Sequence, residues 1–236
     1  MTNKTKRPAT KAPHQSAAFV ANPPPATHKT PPLTPPANAI LDVAERLAQT
    51  LGYNGFSYAH IAAQLSVTKA SLHYHFASKA ILGRALIERY HAGFGEALDT
   101  INRETDEPCK KLKLYAALYE AVLRDDRMCL CGMLAAEYAT LPEPMQTQLH
   151  LFFDANERWL TTVLEEGCRA KRFAFKERAS ERARVILGAL EGAMLMARSY
   201  GDPQRFRVAA DYILADLCKS SPQMRGNPAG MRARAR

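Results

Sequence analysis

Apolar residues recur at helical spacing along most of this chain. Ile40, Val43, Ala44, Leu47 and Leu51 stand at i, i+3, i+4, i+7 and i+11, the stripe of a helix lying on a core, and Gly52 follows as a C-terminal stop. Residues 58–76 predict two short helices joined by a three-residue turn, with Ile61, Ala62, Leu65, Val67, Leu72 and Phe76 placed to pack on one side. Further helices are predicted at 79–101, 109–125, 129–140, 144–170, 178–200 and 204–219. Asp106-Glu107-Pro108, Leu141-Pro142-Glu143-Pro144 and Gly201-Asp202-Pro203 punctuate them. Ser57, Thr68 and Ser78 stand where the second, third and fourth helices should begin, and each is a good N-cap. No segment reads as a strand and there is no internal repeat. The fold class is all-α.

The two ends break this pattern. Nine of the fifteen prolines fall in residues 1–37, which hold too few apolar residues to bury a core and predict a disordered, partly polyproline arm. That arm has no apolar run suited to a signal peptide, and its basic, acid-free composition lacks the amphipathic pattern of a transit peptide. The tail from Ser220 is also predicted disordered. The expected organisation is therefore arm 1–37, a head of short helices 38–84, a helical body 85–219 and tail 220–236. The longest apolar run, Leu187–Ala197, contains Glu191 and is too short to span a bilayer. Five cysteines (109, 129, 131, 168 and 218) show no paired framework, as expected of a reduced, cytoplasmic protein.

Net charge alone misleads. The chain carries +9, but the arm contributes +5 and the tail +4, which leaves residues 38–219 with 23 basic and 23 acidic side chains. The informative feature is local. Between Glu45 and Glu88 there are four basic residues (Arg46, Lys69, Lys79 and Arg84) and no acid. A chance gap is the plain reading; a phosphate-facing surface is the other, and it coincides with the two short helices. The second of these carries hydroxyl, imidazole and ammonium groups and no carboxylate, and a helix of that length fits the major groove of B-DNA. This is the pattern of a helix-turn-helix. Lys79 opens the next helix against its dipole. A phosphate docked on that N-terminus relieves the conflict; a solvated lysine tolerates it.

Taken in order, Ile40–Leu47, Gly52-Tyr53-Asn54-Gly55, Ile61-Ala62, Val67–Leu72, Tyr74-His75-Phe76 and Ser78-Lys79 resemble the TetR/AcrR family of transcriptional regulators. The resemblance runs from Ile40 to about Tyr90. It implies a three-helix DNA-binding head joined through its fourth helix to a larger helical effector and dimerisation domain. It also implies a homodimer on double-stranded operator DNA, a small-molecule effector, and no cofactor or metal. On this resemblance Lys69, Tyr74, His75 and Lys79 are backbone-contact candidates, and Thr68, Ala70, Ser71 and His73 are base-edge candidates. Leu72 and Phe76 are core. Three departures stand out. Ser66 occupies the family's turn glycine and Ala70 its second glycine. His73 precedes Tyr74 where the family has the reverse order, leaving open which of the two faces DNA.

In the body, Tyr115, Tyr119, Phe152, Phe153, Trp159, Met128, Met133, Met194 and Met196 either line an apolar effector pocket or form ordinary core. The helix at 178–200 sets Ala183, Ile186, Leu187, Leu190, Met194 and Ala197 beside the small residues Gly188, Ala189, Gly192 and Ala193. With Phe206, Ala209, Ala210, Ile213, Leu214 and Leu217 it resembles the family's dimer-forming four-helix arrangement, or packs within one chain. Cys129 and Cys131 are similar in setting to a segment of TetR-like regulators that answer to reactive or unsaturated molecules. Two residues apart, they point about 200° from each other on a helix. Arg124 and Arg127, if close, would lower a thiol pKa; buried structural cysteines are the other reading. Further ligands are lacking nearby, which argues against zinc.

The leading expectation is a ligand-responsive repressor released from a palindromic operator. The alternative is an effector-independent, basic nucleoid-associated DNA-binding protein driven by its tails. An enzyme is not expected: Glu137, His150 and Asp154 form no catalytic constellation, and there is no phosphate loop or nucleophile elbow.

Overall fold

The computed structural model describes residues 35–218. Nearly all of the arm and the whole tail lie outside the described residues. Within them are nine α-helices and no strand: α1 (Pro35–Leu51), α2 (Tyr58–Leu65), α3 (Lys69–His75), α4 (Lys79–Glu104), α5 (Pro108–Arg124), α6 (Leu130–Ala136), α7 (Glu143–Arg169), α8 (Ala179–Ser199) and α9 (Pro203–Cys218).

Helix α1 begins inside the span expected to be disordered. Proline is tolerated in a first turn, where its missing N–H has no helical partner in any case, and Ala37 is already buried. The α1 stripe seats Ile40, Leu41, Ala44, Leu47 and Ala48 against α2 and α4. Two residues assigned to apolar faces are not there: Leu51 is 53% exposed at the end of its helix, and Val67 is 41% exposed in the turn. Gly52 ends α1 at φ +81°, its N–H on the Ala48 carbonyl at 3.0 Å. A side chain at that φ is strained, and a Cβ there would also lie 2.9 Å from the Glu137 carboxylate.

The 26-residue α4 leaves the head and runs into the body, where it packs along α7. Arg89 ties it to α1 through Asp42 at 2.6 Å and Glu45 at 2.8 Å. In the body α5 packs on α7 and α9, and α8 lies between α7 and α9. The single helix expected over 129–140 is instead α6 followed by a short 3-10 turn at Tyr138–Thr140. The break falls at Glu137, whose carboxylate binds the head.

The cysteine expectation is corrected too. Cys109 and Cys218 form a disulfide with Cα atoms 5.8 Å apart. The start of α5 and the end of α9 meet because the two helices pack together, a proximity that a spacing of 109 residues gives no sign of. Cys129, Cys131 and Cys168 are free thiols.

Candidate functional site

The head presents α3 outward. Thr68 caps it, accepting from the Ser71 N–H at 3.2 Å, and Ser66 makes the turn before it at φ +56° without glycine's freedom. Leu72 and Phe76 are buried and hold the helix to the head, while Thr68, Lys69, Ala70, Ser71, His73 and Tyr74 are all exposed and His75 is half-buried. At roughly 100° per residue, the side facing away from Leu72 and Phe76 is centred on Tyr74, which is 87% exposed. His73 lies on the flank toward α2. Its ring sits 4.6 Å from the Tyr58 ring and its Nδ1 pairs with the Ala77 carbonyl at 3.2 Å. Of the two residues in reversed order, Tyr74 is the one that projects. Tyr58 braces this flank by donating its hydroxyl to the Phe76 carbonyl at 2.7 Å; burial pushes its pKa up to about 12, so it stays a donor.

Lys79 departs from the phosphate reading. Its ammonium turns back into the head, donating to the Tyr53 and Phe56 carbonyls and lying 4.3 Å and 4.4 Å from their ring centroids. Burial lowers its pKa, against which the nearby Glu137 charge works. The conflict with the helix dipole is thus met by two carbonyl dipoles and two aromatic faces, with no phosphate needed. Arg84 pairs with Glu88 at 2.7 Å. Of the four cations in the acid-free interval, Arg46 and Lys69 remain exposed with no carboxylate partner among the described residues. Beside Lys69 a groove of about 340 Å³ is bordered by Ser57, Tyr58, His73 and Lys79.

In the body several of the aromatic candidates gather into one cluster, with additions. Tyr115, Tyr119 and Phe152 are buried and Trp159 is partly so. Tyr115 stacks on Trp159 at 5.3 Å, and Phe94 of α4 touches Tyr115, Tyr119 and Phe152 at 5.3–6.1 Å. Tyr90 and Phe94 complete the cluster and were not singled out from sequence, because their helix carries a broad mixed face. Met196 is 56% exposed and stands outside it. Asn156 is the polar centre: it accepts from the Tyr115 hydroxyl at 2.9 Å and donates to the Phe152 carbonyl at 2.9 Å.

Cys129 caps α6, its sulfur accepting the Gly132 N–H at 3.5 Å, and both Cys129 and Cys131 are buried. Neither arginine activates them. Arg124 pairs with Glu120, and Arg127 with Asp125 and the Gln49 side chain. The thiols share the interior with Glu191 and Tyr90, and burial, then the Glu191 charge, pushes Cys129 upward. Burial, then the charges of Cys129, Glu191 and Glu45, does the same to Cys131. Glu191 itself was read only as an interruption of an apolar run. A lone carboxylate inside such a run was the available signal.

Head and body meet at the end of α1. The Tyr53 and Asn54 N–H groups donate to the two oxygens of Glu137, the latter at 3.1 Å. Asn54 Nδ2 reaches Thr140 Oγ1 at 2.8 Å. Arg198 of α8 donates to the Gln49 carbonyl at 3.1 Å and to the Thr50 carbonyl.

Comparison with known proteins agrees with this geometry. The family model for "Bacterial regulatory proteins, tetR family" matches residues 40–86, and that for "Transcriptional regulator LmrA/YxaF-like, C-terminal domain" matches residues 108–212. A solved TetR-family transcriptional regulator from Agrobacterium tumefaciens is 31% identical with a TM-score of 0.75, covering 77% of this chain and 97% of that one. The transcriptional repressor NemR of Escherichia coli K12 is 24% identical over 67% of this chain and 82% of its own length. The repressor DhaR of Mycobacterium sp. GP1 is 26% identical over 54% of this chain, and the match spans 63% of DhaR. With a helix-turn-helix head, an all-helical body and a near full-length likeness above 30% identity, the chain belongs to the TetR family of bacterial transcriptional regulators.

Proposed function

We propose that this protein is a homodimeric repressor that binds a palindromic DNA operator and leaves it when a small molecule enters the body. The observation that carries the reading is the combination of an outward α3 with a clasp, Glu137 and Arg198, that joins the base of the head to α6 and α8. In this reading α3 enters the major groove. Thr68, Ala70 and Ser71 face base edges, Lys69 and Tyr74 face the backbone, and His73 and His75 flank them. Arm 1–37 and tail 220–236 add counterion-release affinity around head 38–84 and body 85–219. The protein acts in the cytoplasm, on the nucleoid.

The dimer reading rests on a different face from the one expected. Ala183, Ile186, Leu187, Leu190, Met194 and Ala197 are buried inside the chain, as are Phe206, Ala210, Leu214 and Leu217. What faces outward is Val185, Leu195 and Met196 on α8 and Val208 and Tyr212 on α9, Tyr212 being 83% exposed. Gly188 and Gly192 lie between them with open space above. An apolar patch with a small-residue floor is what two copies need to pack α8 and α9 closely.

Footprinting the full-length protein on its own upstream DNA tests the reading. Two protected half-sites related by symmetry are expected. Lys69→Ala should lower the salt slope by about one, and Ser71→Ala should alter base preference. Equal affinity for random DNA and upstream DNA would instead favour an effector-independent nucleoid protein.

A further inference from the structure

Protein interiors pair their polar groups, and exceptions need an explanation. In the body the neutral groups are closed among themselves: the Tyr115 and Tyr119 hydroxyls meet at 2.9 Å, and Tyr115 and Asn156 complete the network. Among the buried side-chain atoms that stay unpaired in the described residues are both carboxylate oxygens of Glu191, which have no N–H or O–H partner, and Nε1 of Trp159.

Glu191 is held in place by fit. It projects from α8 onto Gly132 of α6, where a Cβ would lie 2.2 Å from Oε2. The Cys129 thiol leans on the carboxylate as a weak donor, and the charge is felt at Tyr90, Tyr115 and Tyr119. Among the described residues no lysine or arginine pairs with it. Arg198 is engaged with the α1 carbonyls, Arg127 with Asp125 and Gln49, Arg182 with Glu177, Arg184 with Glu157, and Lys111 with Glu166. A buried carboxylate without a counter-charge is costly, and a like-charged ligand would raise that cost. A cation relieves it, and the ring faces of Tyr90, Tyr115 and Tyr119, where that charge is felt, attract cations as well, with Phe94 and Trp159 packed on Tyr115 beside them.

We propose that Glu191 is the effector-reading residue and that the effector is a protonated amine. Its N–H groups bind the carboxylate, and its apolar part lies against the Tyr90, Phe94, Tyr115 and Trp159 rings. An acceptor on that apolar part would answer Trp159 Nε1. The proposal rests on the ligand-responsive reading above and gives it a chemical class.

Three probes sharing one body but differing in charge test it on the full-length protein: phenethylamine, phenethyl alcohol and phenylacetate, each titrated by calorimetry and by thermal shift. Phenethylamine should bind most tightly and raise the melting temperature. Glu191→Gln should weaken it by about tenfold or more, as a charge-assisted bond becomes a neutral one, and leave the alcohol unchanged. Circular dichroism of the variant confirms that it folds. Equal binding of the three probes, preference for the alcohol or the acid, amine binding that survives Glu191→Gln, or no binding of any probe overturns the assignment. A chemically diverse library scored for release of upstream DNA separates this from the broader reading. A non-amine effector overturns the amine class alone, whereas no releasing compound of any class overturns ligand response itself.

Discussion

Glu191→Gln has a second consequence, in the pH dependence of folding. Burial pushes the Glu191 pKa from 4.5 to about 7, slightly opposed by the Cys129 thiol. The folded protein therefore holds a proton that the unfolded chain has released between those two pH values. Stability falls as pH rises through that window, and the penalty persists above it. A gap of about 2.5 units, at roughly 1.4 kcal/mol per unit, amounts to about 3 kcal/mol. Glutamine keeps the shape over Gly132 and cannot ionise, but it leaves an amide unpaired at a pH-independent cost of about 1–3 kcal/mol. The readout is therefore the slope and not the absolute difference. Urea unfolding of both proteins from about pH 4.5 to about pH 8 should show the variant gaining about 3 kcal/mol relative to wild type across the range. In melting temperature that is about 6–12 °C, at the roughly 2–4 °C per kcal/mol of a protein this size. Parallel stability curves for the two proteins would refute the burial of an ionised carboxylate.

Three other outcomes follow from the site geometry. Glu137→Ala removes the acceptor of the Tyr53 and Asn54 amides and should cost about 2 kcal/mol. Hydrogen exchange at those two amides should speed up, and unchanged exchange would show that the clasp is not held in solution. Lys79→Ala should lower head stability by about 1–2 kcal/mol through lost carbonyl and ring contacts, with the DNA salt slope unchanged. A slope reduced by about one would mean that the ammonium leaves the head for a phosphate on binding. Alkylation followed by intact mass should label Cys168 first and leave Cys129 and Cys131 slow, since burial raises both thiols. Fast labelling of either, with loss of DNA binding, would make that cysteine a sensor.

The parts legible in the sequence are those written in local chemistry. Helix boundaries followed from spacing, caps and punctuation, because Thr68 and Ser78 bond their own helices and Gly52 ends α1 through its own φ. The outward face of α3 followed from Leu72 and Phe76 pointing the other way. What stayed hidden depends on residues far apart in the chain. Lys79 meets carbonyls 23 and 26 residues before it, so a first-turn lysine read alone pointed to a phosphate or to solvent. Cys109 and Cys218 meet only through the packing of α5 on α9. Arg124 and Arg127 lie near the thiols in sequence and would act on them only if close in space, whereas the helix ends turn them to Glu120, Asp125 and Gln49. The apolar stripe of α8 is buried within the chain, one of the two readings it allowed, since periodicity identifies a side that avoids water and not which neighbour covers it.

On the proposed reading, the placement of α6 offers a route from an effector in the body to the DNA-binding head. Seven residues span about 10 Å. At one end of them the Glu191 carboxylate rests on Gly132, and just past the other end Glu137 holds the amides at the base of the head. A group that draws Glu191 off Gly132 frees the first turn of α6, and the helix transmits the shift because its hydrogen bonds keep it rigid over so short a length. A hundredfold change in DNA affinity is about 2.7 kcal/mol. The two bonds from Glu137 carry roughly that much between them, and such bonds weaken steeply beyond 3.5 Å, so a shift of about 1 Å suffices. Arg198, anchored on α8, keeps its grip on the Gln49 and Thr50 carbonyls and supplies the fixed point. On that reading the head turns about the end of α1 instead of detaching, and in the proposed dimer this rotation changes the separation of the two α3 helices.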